Sequence, residues 1–175
     1  MDFLNVEGGV GYTTKMATNK TKQQFWLMKS EPDCYSLADL KKDGVEHWDG
    51  VRNYQVRNMM RDQMQIGDRA LFYHSNASKE TGVVGEMDIV SKAYPDPTQF
   101  DPKSEHPDPK SDPVNPRWLC VDVKYHSTFK RLVSLSELKV DPKLEGNPVT
   151  RKGNRLSVMP ISKKHYEHIV KLGSQ

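Results

Sequence analysis

Polar and aromatic side chains crowd three short stretches of the sequence, residues 29–32, 47–54 and 72–76. We expect the first and third stretches to close β-strands and the second to lead into a helix. Function concentrates at strand ends and loops, because a rigid scaffold presents them and the sheet does not use all of their backbone groups. These residues are therefore the first candidates for a binding site.

Trp48 is the most informative aromatic residue, because it lies between polar residues and just before a glycine. Large aromatic residues are usually buried, but a loop tryptophan followed by Asn53 and Tyr54 can equally form one wall of a cage for a flat ring. Stacking a nucleic-acid base on an aromatic ring contributes about 1–3 kcal/mol whatever the base. Trp26 and Trp118 instead fall inside strand patterns, which favours a core position for both.

Selectivity among bases requires contacts to the edge of the ring. Glu31 can accept a hydrogen bond from an exocyclic amino group, and nearby hydroxyl and amide side chains can donate or accept. These hydroxyl and amide side chains belong to Ser30, Asn53, Ser75 and Asn76. The sequence thus offers a ring that can stack on a base and groups that can distinguish between bases.

Three side chains of the predicted second helix, Asn53, Arg57 and Arg61, are spaced four residues apart and form one polar strip. Arg57 and the nearby Arg52 can contact successive phosphates of a bound strand. The alternative is a solvated helix face, which we favour for Arg61.

An enzyme that acts on a modified nucleotide or a small polar ligand is the alternative function, with Glu31 or His74 as general acid or base. A serine hydrolase is disfavoured, because there is no G-x-S-x-G motif and His74 and Ser75 are adjacent in a strand, so they point to opposite faces. Neither His47 nor His74 has a histidine partner four residues away. We expect no metal and no cofactor.

The composition describes an ordinary folded domain of 175 residues, with 35% hydrophobic residues. Lys and Arg (26) exceed Asp and Glu (23) by three, which is too small a surplus to identify a nucleic-acid binder. Two distant cysteines exclude a disulfide scaffold. No apolar run approaches the roughly 20 residues that cross a bilayer. We expect an intracellular protein, nuclear or cytoplasmic, that is neither secreted nor bound to a membrane.

Short helices and strands alternate irregularly along the chain. Helix caps are predicted at Ser36, Ser134 and Ser162, and a second helix over residues 53–64 buries a stripe of valine and methionine. Strands are predicted over residues 25–28, 69–74, 83–90, 118–126 and 156–159. This pattern predicts an α+β fold with a mostly antiparallel, curled sheet.

Two segments lack a periodic pattern. Residues 1–23 mix glycines with threonine, lysine, asparagine and glutamine, which predicts a flexible N-terminal extension. Residues 94–116 hold seven of the eleven prolines, which predicts a long surface loop.

The sequence closely resembles the EVE domain family from about residue 24 to residue 172. The matching stretches are residues 26–32, 48–54, 57–58, 72–76, 93–96, 116–118, 121–123 and 155–160. The resemblance implies a PUA-like fold, a small curled β-barrel with helices around it, and kinship with the YTH domains, which read a methylated adenine in RNA. Family members are thought to read modified bases, with modified cytosine in DNA as one suggested target.

The resemblance therefore implies a non-catalytic module over residues 24–175 that reads a modified base in DNA or RNA, and we expect a monomer. The implied base pocket consists of Trp26, Lys29, Ser30, Glu31, Trp48, Val51, Asn53, Tyr54, His74, Ser75 and Asn76. The implied phosphate contacts are Arg52, Arg57 and Arg155. His106-Pro107 stands where relatives usually carry two tyrosines, a departure that weakens the case for base contact by the proline-rich segment.

Overall fold

The computed structural model describes residues 22–77 and 81–175. The predicted N-terminal extension, residues 1–23, lies outside this range except for its last two residues.

In these two ranges, seven strands form the sheet: β1 (Phe25–Ser30), β2 (Val45–Trp48), β3 (Arg69–His74), β4 (Gly82–Ile89), β5 (Tyr94–Pro95), β6 (Leu119–Ser134) and β7 (Val158–Ile161). Six follow the order β2-β6-β4-β3-β1-β7, and β5 pairs with β6. Every pairing is antiparallel except the parallel pairing of β1 with β3. The α+β class and the mostly antiparallel sheet are confirmed, but the sheet stays open between β2 and β7 and closes no barrel.

Among the described residues, four α-helices pack around the sheet: α1 (Leu37–Asp43), α2 (Tyr54–Asp62), α3 (Leu135–Val140) and α4 (Lys163–Gly173). The predicted caps at Ser36, Ser134 and Ser162 are confirmed, since each side chain accepts a hydrogen bond from a backbone N–H of the first turn. Such bonds satisfy donors that the helix itself leaves free. Within the described ranges no helix combines the length and apolar character needed to cross a membrane.

Alternate residues of β1 face two hydrophobic clusters, as the two-residue period of a strand requires. Trp26 and Met28 lie in the cluster covered by α2, and Leu27 lies in the cluster covered by α4. Helix α2 contributes the predicted stripe of valine and methionine to the first cluster. The sheet is therefore packed on both faces and fixes the positions of the strand ends.

The parallel register of β1 and β3 places Ser30 opposite His74. The chain segments that follow the two strands consequently run side by side. The backbone N–H of Ser75 donates to the carbonyl oxygen of Ser30 at 2.8 Å. Two of the three stretches that the sequence singles out are thus brought together at one end of the sheet.

Several elements differ from the sequence prediction, and β6 runs to Ser134, eight residues beyond its predicted end. Strand β2 was not predicted, because Trp48 is the one buried residue among its four. The segment 94–116, predicted as a long surface loop, begins with β5 and a short 3₁₀ helix, Pro97–Phe100. The buried Gln99 side chain donates to the carbonyl oxygens of Asp96 and Trp118, and these bonds hold the segment against the start of β6.

Candidate functional site

A cavity of about 480 Å³ opens where the end of β1, the end of β2 and the proline-rich segment meet. Trp48 lines it and is 8% exposed, with its ring edge-on to Phe72 at 5.4 Å between centroids. The tryptophan is therefore mostly a core residue that also borders a hollow open to solvent. The full lining is Lys29, Ser30, Glu31, Cys34, Tyr35, His47, Trp48, Asp49, Gly50, Val51, Thr98, Glu105, His106 and Ser157.

The first wall of the cavity is the end of β1, supported from behind by the end of β3. The Ser30 hydroxyl donates to the carbonyl oxygen of Tyr35 at 2.7 Å. Asn76 Nδ2 donates to Glu31 Oε1 at 2.6 Å, and Asn76 adopts a left-handed backbone with φ of 49°. Asparagine tolerates this conformation better than most residues. The bond to Asn76 holds Glu31 at the cavity edge.

The opposite wall joins the end of β2 to the proline-rich segment. Gly50 has a φ of +69°, and a β-carbon at this position would lie 2.5 Å from Cδ2 of the His106 ring. Glycine is therefore favoured for two reasons, the left-handed backbone and the close approach of the His106 ring.

Arg52 holds the proline-rich segment in place. Its guanidinium donates to Asp96 Oδ2 at 2.8 Å, to Thr98 Oγ1 at 3.0 Å and to the backbone carbonyl oxygen of His106. The Asp96 side chain is fully buried, so this ion pair is shielded from water. These bonds of Arg52 bring Thr98, Glu105 and His106 to the cavity, although none of the three was predicted as a site residue.

The polar part of the lining includes three carboxylates and two imidazoles. Glu31, Asp49 and Glu105 supply hydrogen-bond acceptors. His47 Nδ1 lies 3.1 Å from Asp122 Oδ1, and this hydrogen bond raises the pKa of His47. Burial lowers the pKa of Lys29. A lining rich in acceptors suits a ligand that presents N–H donors, such as an amino-substituted ring.

Five residues of the predicted base pocket line this cavity, namely Lys29, Ser30, Glu31, Trp48 and Val51. Ser75 and Asn76 do not line it, but they hold Ser30 and Glu31 through the hydrogen bonds described above.

Trp26 is a correction to the predicted pocket. Its side chain is fully buried, and its indole N–H donates to Asp68 Oδ2 at 2.9 Å, away from the cavity lining. The core position that the strand pattern favours for Trp26 is the one observed.

His74, Asn53 and Tyr54 are also absent from the cavity lining. His74 Nε2 accepts a hydrogen bond from the backbone N–H of Leu37 at 3.2 Å, and burial lowers the pKa of the imidazole. The acceptor role of Nε2 and the lowered pKa both favour the neutral imidazole, and this nitrogen is engaged by the backbone of Leu37. The Asn53 side chain caps α2, and the Tyr54 ring packs on Trp118.

The three predicted phosphate contacts have different surroundings. Arg52 uses its donors inside the protein and is not available to a phosphate. Arg57 lies in a second hollow beside Tyr54. Arg155 is exposed, makes no hydrogen bond or ion pair with the described residues, and lies two positions before Ser157 of the cavity wall.

Comparisons with known proteins support the resemblance seen in the sequence. The EVE domain family matches residues 24–172. Thymocyte nuclear protein 1 of Danio rerio is 42% identical over 170 residues, which are 86% of this chain and 72% of the relative.

Solved structures show the same fold. The human THYN1 protein, in a crystal structure with 5-methylcytosine-containing DNA, superposes with a TM-score of 0.80 at 39% identity, covering 87% of this chain and 99% of the other. The YTH domain of the Zygosaccharomyces rouxii MRB1 protein, in complex with N6-methyladenosine RNA, superposes with a TM-score of 0.50 at 16% identity, covering 87% and 85%. The expected PUA-like fold, related to that of YTH domains, is thereby confirmed. With a family match over most of its length and relatives above 40% identity, this chain belongs to the EVE domain family.

Proposed function

We propose that this protein is a non-catalytic nucleic-acid-binding module that reads a methylated or hydroxymethylated base held in the cavity beside Trp48. The observation that carries the proposal is that human THYN1, at 39% identity, was solved with DNA that contains 5-methylcytosine. The cavity volume of about 480 Å³ falls in the range of small-molecule sites, about 300–1,000 Å³. To enter it, the base must leave its stack, at a cost of a few kcal/mol.

The polar lining favours a base with an exocyclic amino group, such as cytosine or adenine. Such a group donates hydrogen bonds, whereas thymine presents a carbonyl acceptor at the equivalent position. Glu31 and Asp49 are acceptors at the cavity, and the bond from Asn76 engages Oε1 of Glu31 and leaves Oε2 to accept from a ligand. Two acidic acceptors would repel the thymine carbonyl.

The methyl group would lie against the apolar parts of Trp48 and Val51. Burying one methyl group contributes about 0.8 kcal/mol, which corresponds to about fourfold in affinity. Preference for a methylated base is therefore modest, and a hydroxymethyl group gains more where it also makes a hydrogen bond.

DNA is the favoured partner, because the relative with substantial sequence identity was solved with DNA, whereas the RNA complex belongs to a protein that shares the fold at 16% identity. The relatives are named thymocyte nuclear protein 1, which favours a function in the nucleus. A monomer is sufficient for this function, because the cavity is formed within one chain.

The decisive experiment measures direct binding to oligonucleotides that differ in one base, cytosine, 5-methylcytosine, 5-hydroxymethylcytosine or thymine, at one salt concentration. We expect the modified cytosines to bind more tightly than cytosine, and thymine to bind most weakly. Trp48→Leu keeps an apolar side chain against Phe72 but removes the stacking surface, so affinity should fall about tenfold or more. Trp48→Phe is the matched control and should retain part of the affinity.

A folded Trp48→Leu variant with unchanged affinity for every oligonucleotide would place the base elsewhere. The enzyme alternative gains no support from His74, because the backbone of Leu37 occupies its Nε2. Chemical conversion of a modified nucleotide during incubation with the protein would contradict a non-catalytic function.

A further inference from the structure

A second hollow, of about 360 Å³, lies between the first turn of α2 and the end of the proline-rich segment. Its lining residues are Tyr54, Arg57, Lys110, Asp112, Asn115, Pro116 and Arg117. Three of these side chains are cations and one, Asp112, is a carboxylate that already accepts a hydrogen bond from the backbone N–H of Val114 at 2.9 Å. The hollow therefore carries a positive surplus, in contrast to the acceptor-rich cavity.

Arg57 is held in a fixed orientation at this hollow. Its Nη1 donates to the carbonyl oxygen of Arg117 at 3.1 Å, and its Nε and Nη2 donate to Asn58 Oδ1 at 3.0 and 2.7 Å. The guanidinium also lies over the Tyr54 ring, 4.9 Å from its centroid. These bonds use three of the five N–H donors of an arginine. Within the described residues no carboxylate forms an ion pair with Arg57, so a rigid cation with free donors faces the hollow.

Lys110 and Arg117 differ in how much of their charge is already paired. Arg117 lies 3.2 Å from Asp108 Oδ2 and also donates to the carbonyl oxygen of Lys110. The Lys110 side chain is exposed and makes no ion pair or hydrogen bond with the described part of the chain. Arg117 thus positions the backbone that carries Lys110, and Lys110 adds a second unpaired cation to that of Arg57.

A continuous stack of side chains connects the hollow to the cavity. The Arg52 guanidinium, which clamps the cavity wall, lies 5.7 Å from the centroid of a Trp118 ring. Trp118 packs on Tyr54 at 4.8 Å, and Tyr54 packs on Arg57. This row of side chains separates the two sites, so a strand with its base in the cavity can reach the hollow within a few nucleotides.

We propose that the hollow binds a backbone phosphate of the nucleic-acid strand whose modified base enters the cavity, with Arg57 and Lys110 as the contacts. The proposal rests on the proposed function. An oriented guanidinium binds phosphate oxygens in a fixed geometry, and a lysine adds a mobile point charge. Phosphate contacts position a strand and carry no sequence information. The hollow should therefore strengthen binding to modified and unmodified strands alike.

The test is Lys110→Gln, which removes the charge from an exposed side chain and leaves the fold intact. We measure the affinity for matched 5-methylcytosine and cytosine oligonucleotides over a series of salt concentrations. Loss of one phosphate contact should make the slope of log K against log salt shallower by about 0.7–0.9, or about fivefold in affinity near 0.1 M salt. The affinity for both oligonucleotides should fall by the same factor. Lys171→Gln, which removes the same charge from α4, is the matched control and should leave the slope unchanged.

The outcomes separate this proposal from the proposed function. If the wild type discriminates between the oligonucleotides and Lys110→Gln has the same slope as Lys171→Gln, the hollow is not a phosphate site, although the base-reading function stands. If the wild type binds both oligonucleotides equally but Lys110→Gln still makes the slope shallower, the base-reading function fails and the phosphate site stands. A change in discrimination with an unchanged slope would also overturn the phosphate assignment.

Discussion

At the scale of single residues, the candidate site depends on side chains that need not contact a ligand. Arg52 connects the end of β2 to the buried Asp96 and to the backbone of His106. Gly50 leaves the space that the His106 ring fills. The charge of Arg52 is satisfied within the protein, so its contribution to binding is to hold one wall of the cavity in place.

We predict that Gly50→Ala destabilises the protein and weakens nucleic-acid binding. The new β-carbon would lie 2.5 Å from the His106 ring, at a backbone φ of +69° that alanine adopts at a cost of about 1–2 kcal/mol. Gly146→Ala is the matched control, because its φ is +79° and its new β-carbon would meet no neighbouring atom within 4 Å. Urea unfolding should show a larger loss of free energy of unfolding for Gly50→Ala. Equal losses would mean that contact with His106 does not matter.

The sequence distinguishes poorly between two kinds of buried tryptophan. Trp26 is 0% exposed and Trp48 is 8% exposed, so both obey the rule that large aromatics are buried. What separates them is the neighbouring atoms: the Trp26 indole N–H reaches Asp68, more than forty positions along the chain, whereas Trp48 borders the cavity. A partner so distant in sequence leaves no local pattern, and sequence analysis therefore missed Asp68.

At the scale of elements, helices were predicted well because their signals are local. Ser36 with Asp39 and Ser134 with Glu137 form reciprocal caps within four residues. Strand β2 has no such signal, because its partner β6 lies more than seventy positions away and Val45 is exposed. The two short elements inside the proline-rich segment, β5 and the 3₁₀ helix, also lack a local signal, since the bond of Gln99 to Trp118 spans 19 positions.

The pairing of β2 with β6 should depend on pH through the cross-strand pair His47 and Asp122. The hydrogen bond to Asp122 raises the pKa of His47. The contribution of His47 to the free energy of unfolding is therefore complete below the usual histidine pKa of about 6.5 and is lost as pH rises through the raised value. Burial opposes ionisation of Asp122, but hydrogen bonds from Tyr94 and His47 leave its pKa lowered. Its contribution is therefore lost on acidification below about pH 4.

The measurement compares urea midpoints of the wild type and His47→Gln across this pH range. We expect the largest wild-type advantage between about pH 4.5 and 6.5 and a smaller one above about pH 8. His165→Gln is the control of opposite sign, because burial lowers the pKa of His165 and the wild type loses relative stability as this histidine becomes protonated. A wild-type advantage over His47→Gln that grows with rising pH would contradict the pairing.

At the scale of the whole molecule, the sequence patterns indicate the α+β class and the antiparallel sheet, and the family resemblance indicates the PUA-like fold. Neither predicts that the two edge strands, β2 and β7, do not pair with each other, because the closure of a sheet depends on its curvature and not on any one strand. The charge distribution is likewise invisible in a net charge of +3. An acceptor-rich cavity and a cationic hollow lie side by side, and their opposite charges nearly cancel in the net charge of the chain.

This arrangement predicts a shallow salt dependence of DNA binding. A protein with a broad basic surface neutralises many phosphates, and its affinity falls steeply with salt. Apart from Lys29, which lines the cavity itself, the cations near the two hollows that form no ion pair within the described part of the chain are Arg57, Lys110 and Arg155. Three phosphate contacts give a slope of log K against log salt of about −2 to −3. Arg155→Gln should make the slope shallower by about 0.7–0.9 while keeping the fold. A wild-type slope steeper than about −5 would require phosphate contacts well beyond these three residues, and binding would then depend on a much larger surface than the two hollows provide.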